Sequence, residues 1–206
     1  MKLGILYQDD TVIVLDKPAG MLSVPGRGAD KQDSLALRVQ QMFPDAKVVH
    51  RLDCHTSGVM LMAMGLDAQR ELSRQFHDRE TEKHYIAIVH GVLARDEGMT
   101  ELAMRGDPDN RPLQILDEIH GKPALTRWRV IERHTDTTRL KLMPHTGRSH
   151  QLRVHCKAMG HAIVGDRLYG SEADAHEPRM LLHAEMLAFT HPRTAQRMRI
   201  TSECAF

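Results

Sequence analysis

The chain has 206 residues, 41% of them hydrophobic and 27% charged, with a net charge of +1. That is enough to bury one good core and predicts a single domain, while no apolar run approaches the ~20 residues that a membrane span needs. The opening M-K-L-G-I-L-Y-Q-D-D meets acids too early for a secretory leader, and three widely spaced cysteines (Cys54, Cys156, Cys204) suit reduced thiols, so a cytoplasmic protein is expected.

Taken in chain order, I-L-Y-Q-D-D-T-V-I-V-L-D reads as two short strands around an Asp-Asp turn, followed by the loop K-P-A-G at residues 17–20. Asp33 or Ser34 can cap a helix through Phe43, with Leu35, Val39, Met42 and Phe43 on one face and Pro44 as its stop. Residues 59–64 form an apolar run of strand length after the turn T-S-G. Asp67 can cap a second helix, in which Ala68, Leu72 and Phe76 recur every four residues. H-Y-I-A-I-V-H-G reads as a buried strand, and T-R-L-K-L-M alternates as a half-exposed strand does. Residues 149–159 fit a helix capped by Ser149, with Leu152, Cys156 and Met159 inward and Gly160 as a left-handed terminator. Strands joined by short connections predict an α+β fold with a largely antiparallel sheet.

Charge is unevenly spread. Residues 122–160 hold nine Lys or Arg against two acids, a net +7 that leaves −6 for the rest of the chain. A polyanion-binding face and a merely solvated surface both fit that distribution.

Fourteen histidines require a test for metal. His145, His150 and His155 stand five apart, about 140° of helix rotation, so His150 and His155 cannot share an ion from one face. H-E-x-x-H and C-x-x-C are absent, and no metal is expected. Ser57 precedes a glycine, but no G-x-S-x-G elbow surrounds it. What stands out is V-H-R-L-D-C-H-T-S-G at residues 49–58: one acid, Asp53, among Arg51, His50 and His55. Alone, such an Asp would be read as a turn cap with Arg51 as its surface partner. Two further polar stretches accompany it: K-H-Y at residues 83–85, and G-R-S-H-Q-L-R-V-H at residues 147–155 inside the basic segment.

As an ordered set these stretches resemble the RluA-type pseudouridine synthases. The family's R-L-D-x-x-T-S-G matches residues 51–58, its K-x-Y residues 83–85, and its G-R-x-H-Q-[IL]-R residues 147–153. K-P-x-G at 17–20, G-D-x-x-Y-G at 165–170 and L-H-A at 182–184 extend the likeness over residues 5–200. The resemblance implies the pseudouridine synthase catalytic fold, α+β, with a largely antiparallel mixed β-sheet flanked by helices and loops. It implies one catalytic domain over residues 1–206 without the S4-like N-terminal domain of longer relatives.

The implied reaction breaks the N1–C1′ bond of a uridine, turns the uracil and rejoins it through C5. One ionised carboxylate suffices, because a second is needed only to activate water. By the resemblance Asp53 is that carboxylate, Arg153 its ion-pair partner, Tyr85 the ring that packs on the target uracil, and Arg51 a residue that holds the flipped-out RNA. Arg148, His150 and Lys157 are candidate phosphate contacts. No cofactor is expected, and the partners expected are RNA stem-loops of 23S rRNA and tRNA (the anticodon stem-loop), met by a monomer. Alternatives are a synthase for only one of those RNAs, a non-catalytic RNA-binding module, and a hydrolase using Asp53 with His150 or His55.

Overall fold

The computed structural model describes residues 3–206. The chain runs through β1 (Ile5–Gln8), β2 (Val12–Lys17), α1 (Leu35–Met42), β3 (Ala46–Val48), β4 (Ser57–Met64), α2 (Leu66–His77), β5 (Glu82–His90), β6 (Glu97–Gly106), β7 (Gln114–Leu116), β8 (Lys122–Arg133), β9 (Thr137–Pro144), α3 (Gln151–Ala158), β10 (Leu182–Thr190) and β11 (Arg197–Thr201). It divides into two compact units. One holds the chain up to Lys83 together with His183–Ala205, and the other holds His84–Leu182 with Phe206.

In the first unit β4 is the central strand. Its residues 57–63 are all buried, which is why they read as an unbroken apolar run rather than an alternation. β2 pairs antiparallel along one edge of β4. The other edge is shared, with β10 parallel at Ser57 and Gly58 and β3 antiparallel from Met62 to Met64. β1 lies antiparallel on β2 and β11 antiparallel on β10. One parallel pairing among antiparallel ones makes this a mixed sheet. Ala68 and Leu72 of α2 pack with Val12, Val14, Leu61 and Phe189 into the core of this unit.

The second unit is an antiparallel sheet in the order β5-β9-β8-β6-β7. β9 alternates half-buried and buried residues along its whole length, as its sequence pattern requires of a strand with one face on the core. Leu140 and Leu142 face α3, whose Leu152 and Cys156 join them with Ala87, Val89 and Trp128. Tyr85 packs against the same cluster, so it shares a sheet face with α3.

Three local expectations are corrected. Met42 is 61% exposed, not part of the inward face of α1, because the helix ends there and only Leu35, Ala36 and Val39 reach the core. Helix α2 is entered through Gly65 rather than capped by Asp67, which lies within its first turn. Helix α3 is entered through His150 in the left-handed conformation (φ 54°), and Ser149 does not cap it. For α1, Ser34 is the cap, its hydroxyl accepting from Leu37 N–H at 3.3 Å.

Candidate active site

Asp53 lies on the loop between β3 and β4. A polar loop against a core must satisfy its backbone groups or lose about 1–3 kcal/mol for each one left unpaired, and here other loops satisfy them. Ser23 Oγ donates to the Leu52 carbonyl (2.6 Å) and accepts from Leu52 N–H (3.0 Å), fixing the residue between Arg51 and Asp53. Gly20 N–H donates to the Cys54 carbonyl at 2.9 Å. Lys17 has no solvent exposure, and its ammonium donates to the carbonyls of Met21 (2.7 Å), Cys54 (2.9 Å) and Pro18 (3.0 Å). Three donors meet three carbonyl acceptors, which lowers the cost of burying the cation. The K-P-A-G loop is thereby tied to the turn after Asp53, and Thr56 N–H closes that turn on the Asp53 carbonyl at 3.1 Å. All these bonds hold Asp53 through backbone, and none uses its carboxylate. Asp53 is half-buried, whereas Arg51 and His55 are exposed.

Gly58, the last residue of R-L-D-x-x-T-S-G, is required by contact as well as conformation. Its φ is +109°, and a Cβ there would stand 2.2 Å from the Ala184 carbonyl oxygen. That close approach lets β4 and β10 pair in parallel. Beside it, Ser57 Oγ and His183 Nδ1 are 2.9 Å apart, and His183 Nε2 lies 3.1 Å from the Ser202 carbonyl. A carbonyl only accepts, so Nε2 carries the proton and Ser57 donates to Nδ1. Both side chains are buried. This Ser–His pair is strand mortar rather than a nucleophile with its base.

Upstream of Asp53, His50 Nε2 accepts from Leu61 N–H at 2.9 Å, and the ring stacks on Phe76 at 4.5 Å. Burial, helped by the charge of Lys83, pushes His50 down to about 3, so the imidazole is neutral. Burial and then Arg79 push the Lys83 ammonium down to about 8.

In the second unit the motif at residues 147–153 and the one at residues 165–170 interlock. Gln151 builds the loop before α3: its Oε1 accepts from Thr146 Oγ1 (2.7 Å) and Arg148 N–H (3.0 Å), and its Nε2 donates to the Leu125 carbonyl (3.0 Å). Arg153 is buried, with Nε and Nη2 donating to the two carboxylate oxygens of Asp166 at 2.7 and 2.6 Å. Asp166 also accepts from the N–H groups of Leu168 and Tyr169 at 3.0 and 3.1 Å. The Arg153 guanidinium lies 4.9 Å from the centre of the Tyr169 ring. This is a bidentate, stacked arginine, a geometry that lysine cannot reproduce. The adjacent Cys156 is inert, since burial and then Asp166 push its thiol up to about 12.

The remaining candidates fall around the same helix. His150 Nδ1 lies 2.7 Å from Tyr169 Oη, Arg148 Nε donates to the Pro123 carbonyl at 3.1 Å, and the exposed Lys157 places its ammonium 5.8 Å from the Tyr169 ring centre. Tyr85, Arg148, His150, Arg153 and Lys157 thus belong to one unit, and Asp53 and Arg51 to the other. Among the described residues, no group of three or more His, Cys, Asp or Glu could hold a metal ion. No helix among them is long and apolar enough to cross a membrane. Residue reasoning missed Lys17, Ser23, Asp166 and Tyr169 as supports. The motifs K-P-x-G and G-D-x-x-Y-G marked three of them without giving their role.

The model of the family described as RNA pseudouridylate synthase matches residues 11–158. The chain belongs to that family. It is an enzyme, an isomerase that makes pseudouridine in RNA. The synthase is 50% identical over 206 residues to a protein of Escherichia coli strain K12 named dual-specificity RNA pseudouridine synthase RluA, covering 99% of this chain and 94% of that one. It is 50% identical over 204 residues to the protein of the same name from Yersinia pestis, with 98% and 99% covered. Among solved structures, it superposes on human RNA pseudouridylate synthase domain containing 1 with a TM-score of 0.82 and 28% identity, over 98% of this synthase and 83% of the human chain. The α+β fold with a mixed, mostly antiparallel sheet is therefore the pseudouridine synthase fold.

Proposed function

We propose that this synthase isomerises uridines in stem-loops of both 23S rRNA and tRNA, the latter in the anticodon stem-loop, with Asp53 as the catalytic carboxylate. The observation that carries the assignment of Asp53 is the way its loop is held. Lys17, Ser23 and Gly20 fix residues 52–54 mainly through backbone carbonyls and amides, with the Cys54 thiol donating to the Gly20 carbonyl at 3.3 Å, a rigid mount built without the acid. The carboxylate acts at the sugar or the base as a nucleophile, or on the sugar as a base, and each role needs it ionised.

The target uridine must leave its stack, which costs a few kcal/mol. An aromatic platform returns about 1–3 kcal/mol per base, so Tyr85 offsets much of the flip and backbone contacts offset the rest. Arg51 holds the flipped-out RNA, and Arg148, His150 and Lys157 supply phosphate contacts. In this reading Arg153 is the cation that keeps the catalytic carboxylate ionised once RNA displaces water, since a guanidinium next to a carboxyl lowers its pKa by about 1–3 units. Dual targeting is supported by the name of the Escherichia coli and Yersinia pestis relatives, dual-specificity RNA pseudouridine synthase. The synthase works as a monomer in the cytoplasm, where these RNAs are.

The test is conversion of unmodified 23S rRNA fragments and tRNA transcripts, with pseudouridine positions read by mass spectrometry. Conversion at defined stem-loop uridines in both RNAs is expected. Conversion of only one class would reduce the assignment to a single-target synthase.

A further inference from the structure

Tyr169 is buried yet touches four functional groups of its unit. Its hydroxyl oxygen accepts from Gln114 N–H at 2.8 Å and lies 2.7 Å from His150 Nδ1. Its ring carries the Arg153 guanidinium at 4.9 Å and the Lys157 ammonium at 5.8 Å. With a backbone N–H already on the phenol oxygen, the favourable use of the phenol proton is donation to Nδ1 of His150. Nδ1 is then the acceptor, and the imidazole carries its proton on Nε2.

The backbone at His150 points the same way. It is a non-glycine residue in the left-handed region (φ 54°), and it contributes no side-chain cap to α3. Such a conformation costs free energy and persists where the surroundings fix the residue for use. The ring meets Tyr169 edge-on, with centroids 5.5 Å apart, which sets its plane as the hydroxyl sets its tautomer.

We propose that Tyr169 is a positioning residue that locks His150 as its Nε2–H tautomer, so that His150 presents a hydrogen-bond donor to a phosphate oxygen of the RNA. The exposed Lys157 ammonium beside the same ring makes an anionic oxygen the matching acceptor rather than a neutral base carbonyl. The inference rests on the synthase reading above and adds to it a state of one ring and the residue that imposes that state.

Tyr169→Phe separates the two duties of Tyr169, because phenylalanine keeps the ring under Arg153 and removes only the hydroxyl. The first readout is the pair of imidazole nitrogen chemical shifts of His150 in the full-length protein. They are expected to report a protonated Nε2 in the parent and a mixture of tautomers in Tyr169→Phe. The second is KM and kcat with a stem-loop RNA. Tyr169→Phe and His150→Asn are each expected to raise KM about tenfold with kcat changed less than threefold. His150→Gln, whose amide nitrogen can take the place of Nε2, should recover most of that loss. Added to His150→Asn, the Tyr169→Phe change should raise KM no further.

A protonated Nδ1 in the parent overturns the proposal, as does a Tyr169→Phe variant with unchanged KM. A fall in kcat at constant KM would assign the hydroxyl to Arg153 instead. Replacing the contacted phosphate by a neutral methylphosphonate should abolish the difference between parent and His150→Asn, and a difference that persists with every phosphate so tested overturns the choice of acceptor. Failure of the synthase reading would look different, as the parent would then convert no uridine while its tautomer stayed intact.

Discussion

Asp53 sits on a loop whose backbone is pinned by Lys17, Ser23 and Gly20, all outside its own segment. Arg153 sits on a helix and is pinned by its own guanidinium, in a two-bond fork to Asp166. The first arrangement fixes where the residue is while the bonds that fix it leave the functional group out. The second fixes the functional group itself. A group that must act on RNA and return unchanged suits the first, and a group whose work is to supply a steady charge suits the second. The two mounts also fail differently, which makes the comparison testable.

The largest effect should come from the fork. Asp166→Ala leaves the Arg153 guanidinium buried without its carboxylate, and loss of one partner of a buried pair costs about 3–5 kcal/mol. Denaturant unfolding should show that loss, and an Asp166→Ala protein within 1 kcal/mol of the parent would break the account of this half. Next is the loop mount. Lys17→Met keeps the buried stem but leaves the Pro18, Met21 and Cys54 carbonyls without their ammonium, at a cost of about 3 kcal/mol. Activity should fall further than stability alone explains, because the Asp53 loop is no longer held. Unaltered turnover by a folded Lys17→Met protein would show that the loop needs no such anchor.

Arg153→Lys keeps the charge and loses the fork, for about 2 kcal/mol of stability. Its turnover should fall by tenfold or more, whereas a fully active lysine variant would mean that charge alone is used.

The smallest expected effect concerns pH. Burial pushes His155 down to about 4 and His50 to about 3, while in the unfolded chain both titrate near 6.5. Below that value the unfolded chain binds protons that the folded one refuses, so stability falls as pH falls. From pH 6.5 to 5.5 the loss should be about 1 kcal/mol from His155 and less from the half-buried His50. A flat profile over that interval would contradict the neutral state of both rings.

How much of this was legible in the sequence follows from how far apart the partners lie. The alternation of T-R-L-K-L-M gave β9, and the apolar run before Met64 gave β4, because each pattern is set within one element. Ser34 could be named as a cap because its bond reaches only to Leu37. Met42 was misread because helical spacing marks a face but not where the core ends. Ser149 was misread because residue type favours it, whereas the tertiary bond from His150 to Tyr169 decided the entry to α3. Asp53, Tyr85 and Arg153 are proposed through a resemblance, since a single Asp in a polar loop has no physical signature of its own. Lys17 could not be placed by periodicity because its acceptors are backbone carbonyls, which every residue has. Ser57 and His183 stand 126 residues apart, and no local pattern links them.

The most direct test of the central claim is tritium release from RNA labelled at uracil C5, comparing the parent with Asp53→Asn under single-turnover conditions. Rejoining the base through C5 must expel that hydrogen, and asparagine keeps the shape and the backbone mount of Asp53 while removing its charge. The account predicts release by the parent and a loss of at least about 10³-fold in the variant, with thermal unfolding showing that the variant is folded. A folded Asp53→Asn protein that still releases tritium at near the parent rate would contradict it.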